Sequence, residues 1–111
     1  MILQLTFAGL LIAHGLTHLM GVVKAYNPSR IGQLSQPVPK PVGWLWLLTA
    51  ALFIFTAVVF VVRQPWWWIP GAGAVLLSQG LVIAYWSDAR WGTLANLLLL
   101  VGVILGYGGW H

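Results

Sequence analysis

Two histidines four residues apart, His14 and His18, interrupt the apolar stretch that opens the chain. In a helix, residues at i and i+4 lie on one face. Neutral imidazoles so placed can ligate a metal, pass a proton, or hydrogen-bond across a helix interface. A metal site is short of ligands. Helical histidine pairs of zinc enzymes are completed by a third ligand and a glutamate base. This chain has one acidic residue, Asp88, with no glutamate and no cysteine. A metal on His14 and His18 would need Asp88 or a symmetry mate. Bis-histidine haem would need a histidine on a facing helix, and the third one, His111, stands at the far end of the chain. No cofactor is predicted. A proton relay fits better, because imidazole titrates near neutral pH. The plainest alternative is that the pair holds helices together through Gln79, Asn96 or backbone carbonyls.

Other polar residues punctuate the apolar runs: Thr17 and Gly21 beside the histidines, Thr49 and Thr56, Ser78 and Gln79, then Thr93 and Asn96. The candidate site is taken as His14, Thr17, His18, Gln79 and Asn96. No residue is assigned a catalytic role. Asp88 and Arg90 fall in a turn, where Asp88 or Ser87 is expected to cap the last helix and Arg90 to pair with Asp88 or with lipid phosphate.

The elements that must position these groups follow from composition. The 111 residues are 60% hydrophobic and 5% charged, whereas a soluble domain carries roughly 25% charged residues. So few charges cannot cover a watery surface. The expected class is an all-α membrane protein, a four-transmembrane-helix antiparallel bundle in one domain, with both termini on the same side. About 20 apolar residues cross a bilayer as a helix. Spans are expected at 2–23, 42–62, 66–86 and 90–110, with one substantial loop at 24–41. The first run lacks the basic start and small-residue cleavage site of a signal peptide and is expected to be retained.

Lys24, Arg30, Lys40 and Arg90 fall in the first and third connections, and Arg63 alone falls in the second. Basic loops stay in the cytoplasm. Loop 24–41 is therefore expected inside and the termini outside. Scattered singly, the basic residues form no nucleic-acid patch. Tryptophans and tyrosines gather near the span ends, as amphipathic rings do at membrane interfaces. Counting rise along each span puts His14, Gln79 and Asn96 roughly 3–6 Å from the span centres, all toward one side, and His18 about 9 Å out. His14 should therefore face the bundle and touch the third or fourth helix, with His18 nearer the headgroups. Gly102 and Gly106, and Gly80 and Ala84, are small pairs suited to close helix contact within the chain or between copies.

Three strings occur together: HGLTHLMGVVKAY from His14, QPVPKPVGWLWLL from Gln36 and YWSDARWGTLANLLLL from Tyr85. On these the chain resembles a group of short uncharacterised bacterial membrane proteins with four predicted helices, over nearly its whole length. Val22 and Tyr26 stand where that group is expected to carry Phe. The resemblance implies a bacterial inner-membrane location and brings no activity or site residues. In size the chain is also similar to the small multidrug resistance transporters, but it lacks their membrane-embedded glutamate.

Three functions fit these observations. The first is a non-enzymatic interaction or accessory subunit that self-associates or packs with a larger membrane partner. Next is a small proton- or cation-coupled carrier acting as a homodimer. The third is a redox, metal or pigment subunit using His14 or His18.

Overall fold

The computed structural model describes residues 2–20, 23, 40–86 and 90–109. Four helices occur among the described residues: α1 (Ile2–Thr17), α2 (Lys40–Val61), α3 (Trp68–Ala84) and α4 (Gly92–Tyr107). No strand occurs among the described residues. α1 packs on α2, α2 on α3, α3 on α4, and α4 closes more loosely back on α1. The described part measures 42 × 22 × 21 Å.

Ring contacts give the helix directions. Phe7, early in α1, meets Phe60 at the end of α2 and Trp67 just before α3, with ring centroids 5.2 and 5.5 Å apart. Its ring also lies where a side chain on Gly102, late in α4, would stand. At the other end, His18 meets Trp46 from the first half of α2. Consecutive helices are therefore antiparallel, which the short connections after α2 and after α3 favour.

α2 shows why the elements pack this way. Its buried residues Gly43, Trp46, Ala50, Phe53, Ala57 and Phe60 recur at alternating steps of three and four, the spacing of a helix-packing seam. Thr49 and Thr56 share its buried side, and their hydroxyls donate back to the carbonyls of Leu45 and Leu52 at 2.8 and 2.7 Å. Buried hydroxyls are thus satisfied within their own helix. α2 starts at Lys40, two residues earlier than the expected span. Pro41 falls in its first turn, where a missing N–H breaks no bond.

α2 closes through a motif that usually takes glycine. Arg63 has φ 62°. Its N–H donates to the Phe60 carbonyl at 3.1 Å and the Gln64 N–H to the Val59 carbonyl at 3.0 Å. That pair of bonds is a Schellman cap with arginine at the left-handed position.

Among the described residues, α2 is the one helix both long and apolar enough to cross a bilayer, with mean hydropathy 2.4. α1, α3 and α4 are shorter apolar helices of 16, 17 and 16 residues. The bundle nonetheless turns apolar side chains outward. Leu76, Tyr107, Trp91 and Leu98 are 73%, 76%, 72% and 63% exposed, while His18, Ser78 and Asn96 are 3%, 0% and 2% exposed.

Candidate functional site

The end of α1 sets the site. In a continuing helix the His14 carbonyl would accept from the His18 N–H. Here that N–H turns instead to the Gly15 carbonyl at 3.1 Å. The freed His14 carbonyl accepts from two side chains, Thr17 Oγ1 at 2.6 Å and His18 Nδ1 at 2.8 Å. A carbonyl only accepts, so His18 carries a proton on Nδ1. Its Nε2 then points across the bundle at a fixed angle.

Ser78 on α3 meets it. Ser78 Oγ lies 2.9 Å from His18 Nε2, 3.3 Å from His14 Nε2 and 3.0 Å from Asn96 Oδ1. His14 Nε2 is also 2.7 Å from Asn96 Oδ1. Asn96 Nδ2 donates to Gln79 Oε1 at 3.0 Å, and Gln79 Nε2 donates to Thr93 Oγ1 at 3.3 Å. One connected network thus ties α1, α3 and α4 together. Aromatic rings wall it: Phe53 and Trp46 of α2 lie 5.4 and 5.5 Å from the His18 ring, and the two imidazoles stand edge to face at 4.8 Å.

The structure brings together four of the five candidate residues, His14, His18, Gln79 and Asn96. Thr17 stands apart: it is exposed and bonds only its own helix's backbone. His14 touches both α3 and α4, through Ser78 and Asn96. His18 is the buried member and His14 is half-buried, because the turn at His18 swings its ring inward against Trp46 and Ser78. Ser78 was visible in the sequence as a polar residue next to Gln79, yet it is the hub, touching three of the other members. Thr93 joins at the far end. Both were legible as polar residues one helical turn or less from the candidates, which is the signal that finds them.

His14 also borders a groove of about 230 Å³ between α1 and α4, with Leu10, Ala13, Thr17 and Leu98 on its walls. Among the described residues no three of His, Cys, Asp and Glu gather as a metal site would require. Asp88 and the greater part of loop 24–41, with Lys24 and Arg30, lie outside the described residues. The cap expected from Asp88 or Ser87 falls outside the described residues. Trp91 holds the cap position, in helical geometry and without a side-chain cap bond, and a tryptophan side chain has no acceptor to offer the first amides. Arg90 is exposed, with its guanidinium 5.7 Å from the centre of the Trp91 ring.

The glycine pairs divide. The Phe7 and Trp67 rings fill the places of side chains at Gly102 and Gly106, so that pair serves packing within the chain. Gly80 has nothing within 4 Å of its side-chain position, and neither has Gly73.

No family model, no curated protein and no solved structure matches this chain.

Proposed function

We propose that the chain is a multi-pass inner-membrane protein whose role is lateral association, first of all with a second copy of itself. The observation that carries this is the outer face of α3. Ile69, Gly73, Leu76, Gly80 and Ile83 follow one another at steps of four and three. The isoleucines and Leu76 are 55%, 73% and 64% exposed in chain order Ile69, Leu76, Ile83, and both glycines are open. Large apolar residues alternating with open glycines suit close helix approach in lipid, where small residues let backbones meet. A groove of about 510 Å³ runs alongside, lined by Val42, Leu45, Leu77 and Leu81 among others.

Polar groups turned inward and apolar groups turned outward support the bilayer as solvent. The basic residues favour loop 24–41 in the cytoplasm and both termini outside. The chain has no cysteine, so a single introduced thiol reports proximity without background. Leu76→Cys and Ile83→Cys should give disulfide-linked dimers in native membranes, and Leu98→Cys on the outer face of α4 should not. Monomer from all three, with equal yield, overturns this association.

A second reading is a proton-coupled carrier. It is favoured by the hydrogen-bond network itself, which joins two imidazoles to three helices at one level of the bundle. Flux driven by a pH gradient in reconstituted vesicles, lost in His14→Ala, would support it. Flux unchanged in that variant removes it.

A further inference from the structure

Counting protons in the network exposes a shortage. Four contacts meet around Ser78 and Asn96: His18 Nδ1 to the His14 carbonyl, His18 Nε2 to Ser78, Ser78 to Asn96 Oδ1, and His14 Nε2 to Asn96 Oδ1. Each needs one hydrogen. Asn96 Oδ1 only accepts, so Ser78 gives it the single hydroxyl hydrogen and His14 gives it the Nε2 hydrogen. Nothing then remains for His18 Nε2 to accept from Ser78. With both imidazoles neutral, one of the four contacts has no hydrogen. One added proton on Nε2 makes His18 a donor at both nitrogens and completes the set.

A second complete arrangement needs no added proton. The two ends of a carboxamide are nearly the same shape, so a half-turn exchanges donor and acceptor in place. With Asn96 and Gln79 both turned, the Asn96 amide donates to Ser78 Oγ and to His14 Nε2. Ser78 then donates to His18 Nε2. Asn96 accepts from Gln79, and Gln79 accepts from the Thr93 hydroxyl. His14 now carries its hydrogen on Nδ1. Each of the four contacts is made and both imidazoles are neutral, while the longer 3.3 Å approach of Ser78 Oγ to His14 Nε2 carries no hydrogen. The two complete arrangements differ by one proton.

We propose that His14, His18, Ser78, Asn96, Gln79 and Thr93 form a binding site for a single proton, taken up on His18 with reversal of both amides. No covalent bond changes other than N–H: His18 gains a proton, and His14 exchanges its Nδ1 hydrogen for one on Nε2. The Trp46 and Phe53 rings lie within the ~6 Å over which aromatic faces attract a cation, at 5.5 and 5.4 Å. His14 borders the groove between α1 and α4 and supplies the way in. Among the described residues few other charges bear on the pair. α2 presents Trp46 and Phe53, with Lys40 exposed at its start. α3 presents Ser78 and Gln79, and its neighbour Tyr85 lies behind Trp46, 5.5 Å away. α4 presents Asn96 and Thr93, preceded by the exposed Arg90. The site does not depend on dimerisation.

The test is nitrogen NMR of the histidine rings in the full chain, labelled with ¹⁵N-histidine and held in nanodiscs, across about pH 4 to 9. His18 should become doubly protonated as pH falls. His14 should pass from the Nδ1–H to the Nε2–H form at the same midpoint. Gln79→Glu supplies an acceptor that cannot turn into a donor while ionised. It should hold His14 in the Nε2–H form throughout and raise the proton affinity of His18 by about tenfold or more. Ser78→Ala should uncouple the two rings, so that His14 keeps one form while His18 titrates. A folded wild-type protein whose His14 form is unchanged through the His18 transition, or whose His18 never takes a second proton, overturns the proposal. So does Gln79→Glu with His14 still in the Nδ1–H form. None of these readouts depends on oligomeric state or on transport.

Discussion

Replacing Gly106 with alanine should destabilise the bundle, and the size follows from where the Trp67 indole lies. A methyl group on Gly106 would overlap the Cζ2, Cε2 and Cη2 atoms of that ring. The ring has no way out: it is 0% exposed and is held by Phe60 at 4.7 Å and Phe7 at 5.5 Å between centroids. Overpacking a tight site costs about 1–3 kcal/mol. Alanine recovers up to about 1 kcal/mol of helix propensity. The net loss should be up to about 2 kcal/mol. Gly102→Ala makes a similar overlap with Phe7, but Phe7 borders a groove of about 230 Å³ and can yield, so its loss should be smaller. Gly80→Ala meets nothing within 4 Å and should keep the propensity gain alone. The assay is reversible unfolding in mixed micelles with increasing denaturing detergent, on dilute protein to hold it monomeric. The expected order of stability is Gly80→Ala, then Gly102→Ala, then Gly106→Ala. If Gly106→Ala is as stable as Gly80→Ala, the indole does not fill that place and the packing argument fails.

Asn96→Leu removes the partner of His14, Ser78 and Gln79 at once. Each buried polar group left unpaired costs about 1–3 kcal/mol, so the same unfolding assay should show a larger loss than for any of the glycine variants. Arg63→Gly relieves the left-handed backbone at the end of α2 and should gain up to about 1 kcal/mol in that assay; a clear loss would mean that the arginine side chain holds the turn. A cysteine in place of Ser35 should resist an impermeant thiol reagent in intact spheroplasts and react once the membrane is opened, and reaction in intact spheroplasts would place loop 24–41 outside.

The four-helix plan was legible because long apolar runs broken by Pro and charged turns leave little else to build. Position along each run was legible too: counting rise sets His14, Gln79 and Asn96 at one level, and in the bundle Asn96 bonds both of the others. Azimuth was less legible. The count treated α1 as continuous through His18, but the backbone leaves the helix at that residue. Nothing in the local string HGLTHLMG marks the break except its glycines and threonine, and each also occurs inside helices. The spacing that suggested a shared face therefore gave the level of the partners but not which of the two rings is the more buried.

Ser78 shows why composition alone ranks polar residues poorly. Gln79 offers more hydrogen-bonding atoms and looks the better partner for a histidine. It cannot be the hub, because on a helix adjacent residues point about 100° apart. α3 turns Ser78 to the centre, where a short side chain fits among two imidazoles and an amide, and leaves Gln79 half-buried beside Thr93. A hydroxyl at the hub has a chemical consequence that a carboxamide would not. It carries one hydrogen and can send it either way, so direction in the whole chain of bonds is set from its ends, by His18 at one and by Gln79 and Thr93 at the other. A network built round a fixed donor would have a single complete arrangement. This one has two, and that is why its protonation should read out at His14, on the other side of Ser78 from the proton that is bound.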